Sequence, residues 1–249
     1  MYNKQSVHTM TNETVRALHE LKLPGMASCW TSLEETHQLD RVTLRDGMQL
    51  MLQSERDTRL NNRIARLIKN ANFRLRASIE ELEMDTTRGL SSAAVADLAT
   101  CNYIRSGMTV IVTGPTGTGK SYFTCALGDR AGRNGFKVLY YTMNMLIENL
   151  KLVHLEGRET NFFRKLSAHD LLIIEDFGMC KLGGQIEHDF EQIVDDRYNR
   201  SAIILASQLP VKDWYDVFQS ELIAEACLDR IVHKAIKFEL QGESLRKKY

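Results

Sequence analysis

The sequence has 249 residues, 43% of them apolar, with 32 basic and 32 acidic side chains and a net charge of zero. That length accommodates one large domain, or a domain of about 150 residues with a smaller one beside it. The balanced charge excludes whole-chain electrostatics as an argument about nucleic acid, so only local patterning can speak. Five scattered cysteines form no C-x-x-C pair and exclude a disulfide framework, and no His/Cys spacing fits zinc. No apolar run approaches the ~20 residues of a membrane span. The polar first segment leads us to expect no signal peptide, hence a reduced, cytoplasmic protein without a membrane partner.

The first hundred residues hold a single proline, Pro24, and read as helical. Leu18, Leu21 and Leu23 follow a polar start, and Pro24-Gly25 breaks the pattern. A second helix is expected over 26–38. Thr43-Leu44-Arg45-Asp46 has the form of a capping box with the shorter acid and opens a long helix to about residue 70. Ser78-Ile79-Glu80-Glu81 is a cleaner capping box for a short helix, and Ser91-Ser92 precedes an alanine-rich turn or two.

The long helix carries a basic stripe. Arg56, Arg59, Arg63, Arg66, Lys69, Arg74 and Arg76 occur in a span whose only acid is Asp57. The first four are spaced 3, 4 and 3, which aligns their guanidinium groups along one helix face, with Leu60, Ile64, Leu67 and Ile68 on the apolar face. Arginine forks suit phosphate oxygens, so the stripe fits a duplex backbone. An acidic protein partner or a plain solvated face fits the same pattern.

After Gly107 short β-rich runs alternate with helical segments. Strands are expected over Thr109–Thr113, Val138–Thr142, 171–175, 202–206 and 235–240. Such alternation predicts an α/β fold, a parallel five-stranded sheet flanked by helices, preceded by a small all-α domain. The expected division is 1–90 and 91–249. The first strand runs into Gly114-Pro115-Thr116-Gly117-Thr118-Gly119-Lys120-Ser121, which fits G-x-x-x-x-G-K-[ST] at every fixed position, with Tyr122 opening the following helix. Glycines let successive N–H groups face phosphate oxygens, and the helix N-terminus adds its dipole. Lys120 would reach the β- and γ-phosphates of ATP, and Ser121 would sit on Mg²⁺.

The strand Leu171-Leu172-Ile173-Ile174 ends in Glu175-Asp176, where phosphate-loop ATPases keep an acid for Mg²⁺ and an acid for the attacking water. Both are candidate metal and catalytic residues. Gln208 ends the next strand, where an amide can hold a water near the γ-phosphate. Arg230 and Arg246 carry no signal alone, since a surface ion pair is the default for either.

Taken in order, Gly114–Ser121, Leu171–Gly178, Ala206–Val211, Leu228-Asp229-Arg230-Ile231 and Gly242-Glu243-Ser244-Leu245-Arg246 resemble the IstB family, transposition helper ATPases of insertion sequences. The resemblance extends to Leu18–Met26 and Glu55–Arg76, so it covers nearly the whole chain. That family is similar to the DnaC and DnaI helicase loaders, within the AAA+ ATPases. The resemblance implies an AAA+ ATPase that binds duplex DNA with little sequence choice, forms a homo-oligomer on it with ATP, and recruits a partner transposase of the IstA kind. It implies that Arg230 acts as an arginine finger on a neighbouring subunit's ATP, that Arg246 contacts phosphate in its own subunit, and that Gln208 senses the γ-phosphate. The family's usual order at the strand end is Asp followed by Asp or Glu. Glu175-Asp176 departs from it, which leaves open which acid does which job and puts the hydrolysis rate in doubt more than ATP binding. A replicative helicase loader is the alternative function. A small-molecule kinase would need a lid and acceptor pocket in place of a charged helical extension.

Overall fold

The computed structural model describes residues 13–245, and the chain divides into two compact units, Met1–Arg66 and Leu67–Tyr249. Arg246 lies outside the described residues. The division differs from the one expected at residue 90. Phe73, Leu75, Ala77, Ile79 and Leu82 all pack against the core of the second unit, which draws residues 67–90 into it.

In the first unit, residues 13–20 are helical (α1), followed by α2 (Pro24–Glu35), and α3 (Leu44–Ala71) begins there and carries the chain into the second unit. Thr43 caps α3 as its box predicts: its hydroxyl accepts from the Asp46 N–H at 3.2 Å and donates to the Asp46 carboxylate at 2.7 Å. Pro24-Gly25 separates α1 from α2 as expected, with Pro24 in the first turn of α2. That start is held from 30 residues away. The buried Glu55 carboxylate accepts the Gly25 N–H at 2.7 Å and the Met26 N–H at 3.2 Å, satisfying donors that any helix start leaves over. Arg59 donates to the same carboxylate at 2.7 Å, and this bond is the main reason the Glu55 pKa falls below the usual range. Only glycine fits at position 25, because an added Cβ would lie 2.5 Å from the Glu55 Cα.

In the second unit, Ser91 caps α4 (Ser92–Ala99) through the Ala94 N–H, and α5 (Asn102–Arg105) leads into β1 (Thr109–Thr113). The Ser78 box yields only a 3-10 turn over Ile79–Glu81, without a side-chain cap. There follow α6 (Lys120–Arg133), β2 (Val138–Thr142), α7 (Met143–Glu156), α8 (Glu159–Ser167), β3 (Leu171–Phe177), α9 (Gln185–Arg197), β4 (Ala202–Ser207), α10 (Glu221–Val232) and β5 (Ile236–Glu239). The strands form one parallel sheet in the order β2-β3-β4-β1-β5. The sheet buries both faces, so its strands are apolar almost throughout. Ile111, Leu139, Leu172, Ile174, Ile203 and Leu205 pack on one side with residues of α7 to α10. Val110, Val112, Val138, Ile173 and Ile204 pack on the other with residues of α4 to α6.

A buried arginine ties the amino end of β4 to its surroundings. The Arg197 guanidinium donates to the carbonyls of Leu166 (2.9 Å), His169 (3.0 Å) and Ala202 (2.8 Å), and burial lowers its pKa to about 10. Each charge-assisted bond lost from such a site costs about 1.5–3 kcal/mol. Arg197→Ala should therefore lower the unfolding free energy by about 3 kcal/mol or more, read from denaturant curves; a loss below about 1 kcal/mol would contradict this role.

His154 on α7 bridges Asp189 at 2.7 Å and Glu159 at 3.2 Å, and its pKa is raised, first by the Asp189 bond. Its folded pKa lies above its unfolded value, so this contribution is complete below about pH 6.5 and is lost as pH rises through the folded value. Stability should decline over that upper window in the wild type, and His154→Gln should flatten the decline.

Candidate nucleotide site

The loop between β1 and α6 sits at the carboxyl end of the central strand, where ligands of open parallel sheets bind. Gly114, Gly117 and Gly119 have φ of 145°, 84° and 99°, values that side-chain-bearing residues avoid. Space forbids a side chain as well: a Cβ on Gly114 would lie 2.2 Å from the Leu240 carbonyl oxygen, and one on Gly117 would lie 2.1 Å from Ser244 Oγ. The Thr118 hydroxyl braces the turn by donating to the Pro115 carbonyl at 2.9 Å. Lys120 opens α6, and its ammonium folds into the loop, donating to the carbonyls of Gly114 (2.7 Å) and Pro115 (2.8 Å). The half-buried Ser121 follows. Tyr122 donates its hydroxyl to Glu81 at 2.8 Å.

The two acids at the end of β3 go separate ways. Glu175 is 1% exposed, and its carboxylate accepts from the Thr124 hydroxyl on α6 and from the Tyr140 hydroxyl on β2 at 2.8 Å. Burial, with Glu175 alongside, raises the pKa of Tyr140, so that hydroxyl stays a donor at neutral pH. At Asp176 the β3–β4 register shifts and φ is 57°, in the left-handed region that Asp tolerates better than most residues. The Asp176 side chain is 38% exposed and faces the Arg74 guanidinium at 3.6 Å. Adjacent acids in an unbroken strand would alternate faces with equal weight; the bulge gives one to the core and the other to the surface.

Gln208 follows β4, and its Oε1 accepts the Thr116 hydroxyl of the loop at 2.6 Å. The chain after β5 returns to the same place, with Leu240 N–H donating to the Thr113 carbonyl at 2.8 Å and Leu245 N–H to that of Gly117 at 2.9 Å. The structure thus gathers Gly114 to Tyr122, Glu175, Asp176 and Gln208 around one strand edge. Arg230 does not join them. It bonds Asp195 at 3.1 Å and the Ala226 carbonyl at 2.8 Å, and it lines a cavity of about 240 Å³ together with Thr109 and Ser201, at the amino ends of the strands.

The donor set fits a nucleoside triphosphate: a glycine cradle with no room for side chains, one ammonium inside it, and a helix start at its rim. Among the described residues no group of three or more His, Cys, Asp or Glu could hold a metal.

Of the stripe, Arg56, Arg59, Arg63, Arg66 and Lys69 lie on α3 and are exposed, though Arg59 is committed to Glu55. Arg76 is exposed, and Arg74 stands beside Asp176. The motifs pass over Thr124 and Tyr140. Thr124 lies a helical turn beyond Lys120, which is the one periodic signal pointing to it.

Lys120→Ala should abolish measurable nucleoside triphosphate binding in calorimetry while leaving the melting transition nearly in place. Tyr140→Phe should leave one oxygen of a buried carboxylate unpaired and cost about 1–3 kcal/mol of stability. A neutral effect would show that Glu175 is otherwise satisfied.

A family model described as IstB-like ATP binding protein matches residues 16–249. The chain is 34% identical over 238 residues to y4pL of Sinorhizobium fredii, which is named as an insertion-sequence ATP-binding protein; the match spans 96% of this chain and 97% of that one. Among solved structures, the DnaC helicase loader superposes with a TM-score of 0.55 at 17% identity, over 66% of this chain and 97% of that chain. DnaI gives 0.57 at 14% identity, over 71% and 94%. These two likenesses show that the α/β fold is shared with the helicase loaders. The chain belongs to the IstB-like ATP-binding proteins of insertion sequences.

Proposed function

We propose that the protein is an ATP-dependent helper of transposition that assembles on duplex target DNA and recruits and stimulates a partner transposase. The observation that carries this is the coincidence, in one insertion-sequence family member, of a built triphosphate cradle and a run of exposed arginines. Arg56, Arg63 and Arg66, exposed along α3, meet the DNA backbone. Such a function belongs in the cytoplasm, where ATP and DNA are both at hand. No helix among the described residues is long and apolar enough to cross a membrane.

On binding ATP, Lys120 exchanges the Gly114 and Pro115 carbonyls for β- and γ-phosphate oxygens. Ser121 and the acidic strand end would hold Mg²⁺, which would supply charge neutralisation on the phosphates. Asp176, exposed at that end, orients the attacking water, while the buried Glu175 braces the start of α6 through Thr124. As the water oxygen bonds to the γ-phosphorus, the bond to the bridging oxygen breaks. ADP leaves with that oxygen, and the water proton passes to phosphate or solvent. Gln208, tethered to the loop by Thr116, lies where a γ-phosphate contact can be relayed to β4. Arg230, at the far end of the strands, serves a neighbouring subunit, so ATP ties the assembly together. The likeness to DnaC and DnaI concerns the fold and does not favour a helicase as cargo.

Arg230→Ala should keep nucleotide affinity within about twofold and reduce ATP-driven assembly and turnover at least about tenfold, as loss of a trans finger does. Normal turnover and assembly in that variant would remove the finger role. Duplex affinity should fall steeply with salt, and replacing Arg56, Arg63 and Arg66 with alanine should flatten the log–log slope by about 0.9 per lost phosphate contact. A slope that is flat in the wild type would contradict the arginine interface.

A further inference from the structure

The Arg74 contact belongs to neither a plain DNA-binding stripe nor the phosphate-loop machinery. Arg74 continues the basic run of α3 in sequence, yet its guanidinium lies 3.6 Å from the Asp176 carboxylate. The segment that carries it is fixed on the second unit by Phe73, whose ring packs edge-on to Tyr140 at 6.4 Å, and by Leu75 in the core. The same guanidinium bears electrostatically on Cys125 and Tyr140, around the Glu175 carboxylate. One cation therefore serves the acid end of β3, and it is the cation next in line after a stripe suited to DNA phosphate.

We propose that Arg74 is a positioning residue that couples DNA to the ATP site: it holds Asp176 in the DNA-free protein and releases it when a duplex phosphate takes the guanidinium. The proposal rests on the ATPase and duplex-binding function argued above. A weak contact is what such a gate requires. Arg74 is 53% and Asp176 38% exposed, and no hydrogen bond joins them at 3.6 Å, so the pair biases the acid by about fivefold at most and yields to a backbone phosphodiester or to salt. Arg74 and the attacking water compete for the same exposed carboxylate.

The test is ATP turnover at saturating ATP and Mg²⁺, with and without a random linear duplex, for the wild-type chain, Arg74→Ala and Arg74→Lys. Arg74→Ala should raise the DNA-free rate about two- to fivefold, remove most of the stimulation by duplex, and leave ATP affinity unchanged. Arg74→Lys should restore the low DNA-free rate. Moderate salt should raise the DNA-free rate of the wild type and not that of Arg74→Ala, a response that a purely structural arginine would not give. A DNA-free rate in Arg74→Ala equal to or below that of the wild type overturns the proposal. Failure of the wild type itself to bind duplex or to hydrolyse ATP would overturn the functional assignment instead, so the two failures are distinguishable.

Discussion

The curled backbone between Thr113 and Lys120 is the constraint on which the rest of the molecule depends. Three glycines at positive φ curl it, but a free chain of that composition would not hold the shape. The sheet holds it. β1 is paired on both sides, by β4 and β5, so the strand that enters the loop is fixed. α6 anchors the exit, with Phe123, Cys125, Ala126 and Leu127 buried. The chain after β5 closes over the loop through backbone bonds to Thr113 and Gly117. An anion site built from backbone needs no reorganisation when phosphate arrives, beyond the movement of Lys120 off its two carbonyls.

The acid pair shows how one irregularity divides labour between neighbours. A register shift between Ile174 and Phe177 turns Asp176 out and leaves Glu175 inside. The buried carboxylate is costly unless satisfied, and Thr124 and Tyr140 satisfy it. Ser207 then closes the same end by donating to the Phe177 carbonyl at 2.6 Å. The strand end is thereby rigid where it touches α6 and β4, and exposed only at Asp176.

Much of this was legible in the residues. All five strands fall where the sequence predicts them, and the central β1, β3 and β4 do so because they bury both faces and leave an unbroken apolar signal. The phosphate loop was legible because its glycines are fixed by geometry. What escaped depends on partners distant in sequence. The break at Pro24-Gly25 is marked locally, but the carboxylate that holds the new helix start belongs to Glu55. The i,i+4 spacing of Glu55 and Arg59 marks their pair in the sequence, whereas Arg74 reads as a member of the charge stripe because nothing local reveals Asp176 facing it. The order Glu175-Asp176 signals a departure, but the bulge that separates the two side chains has no sequence mark.

The central claim is that ATP and duplex DNA together drive this chain into an assembly. Light scattering of the purified protein with a random linear duplex, under ATP, ADP and no nucleotide, tests it most directly. The account predicts a large complex only when duplex and ATP are both present. An absence of assembly on duplex in every nucleotide state would contradict it.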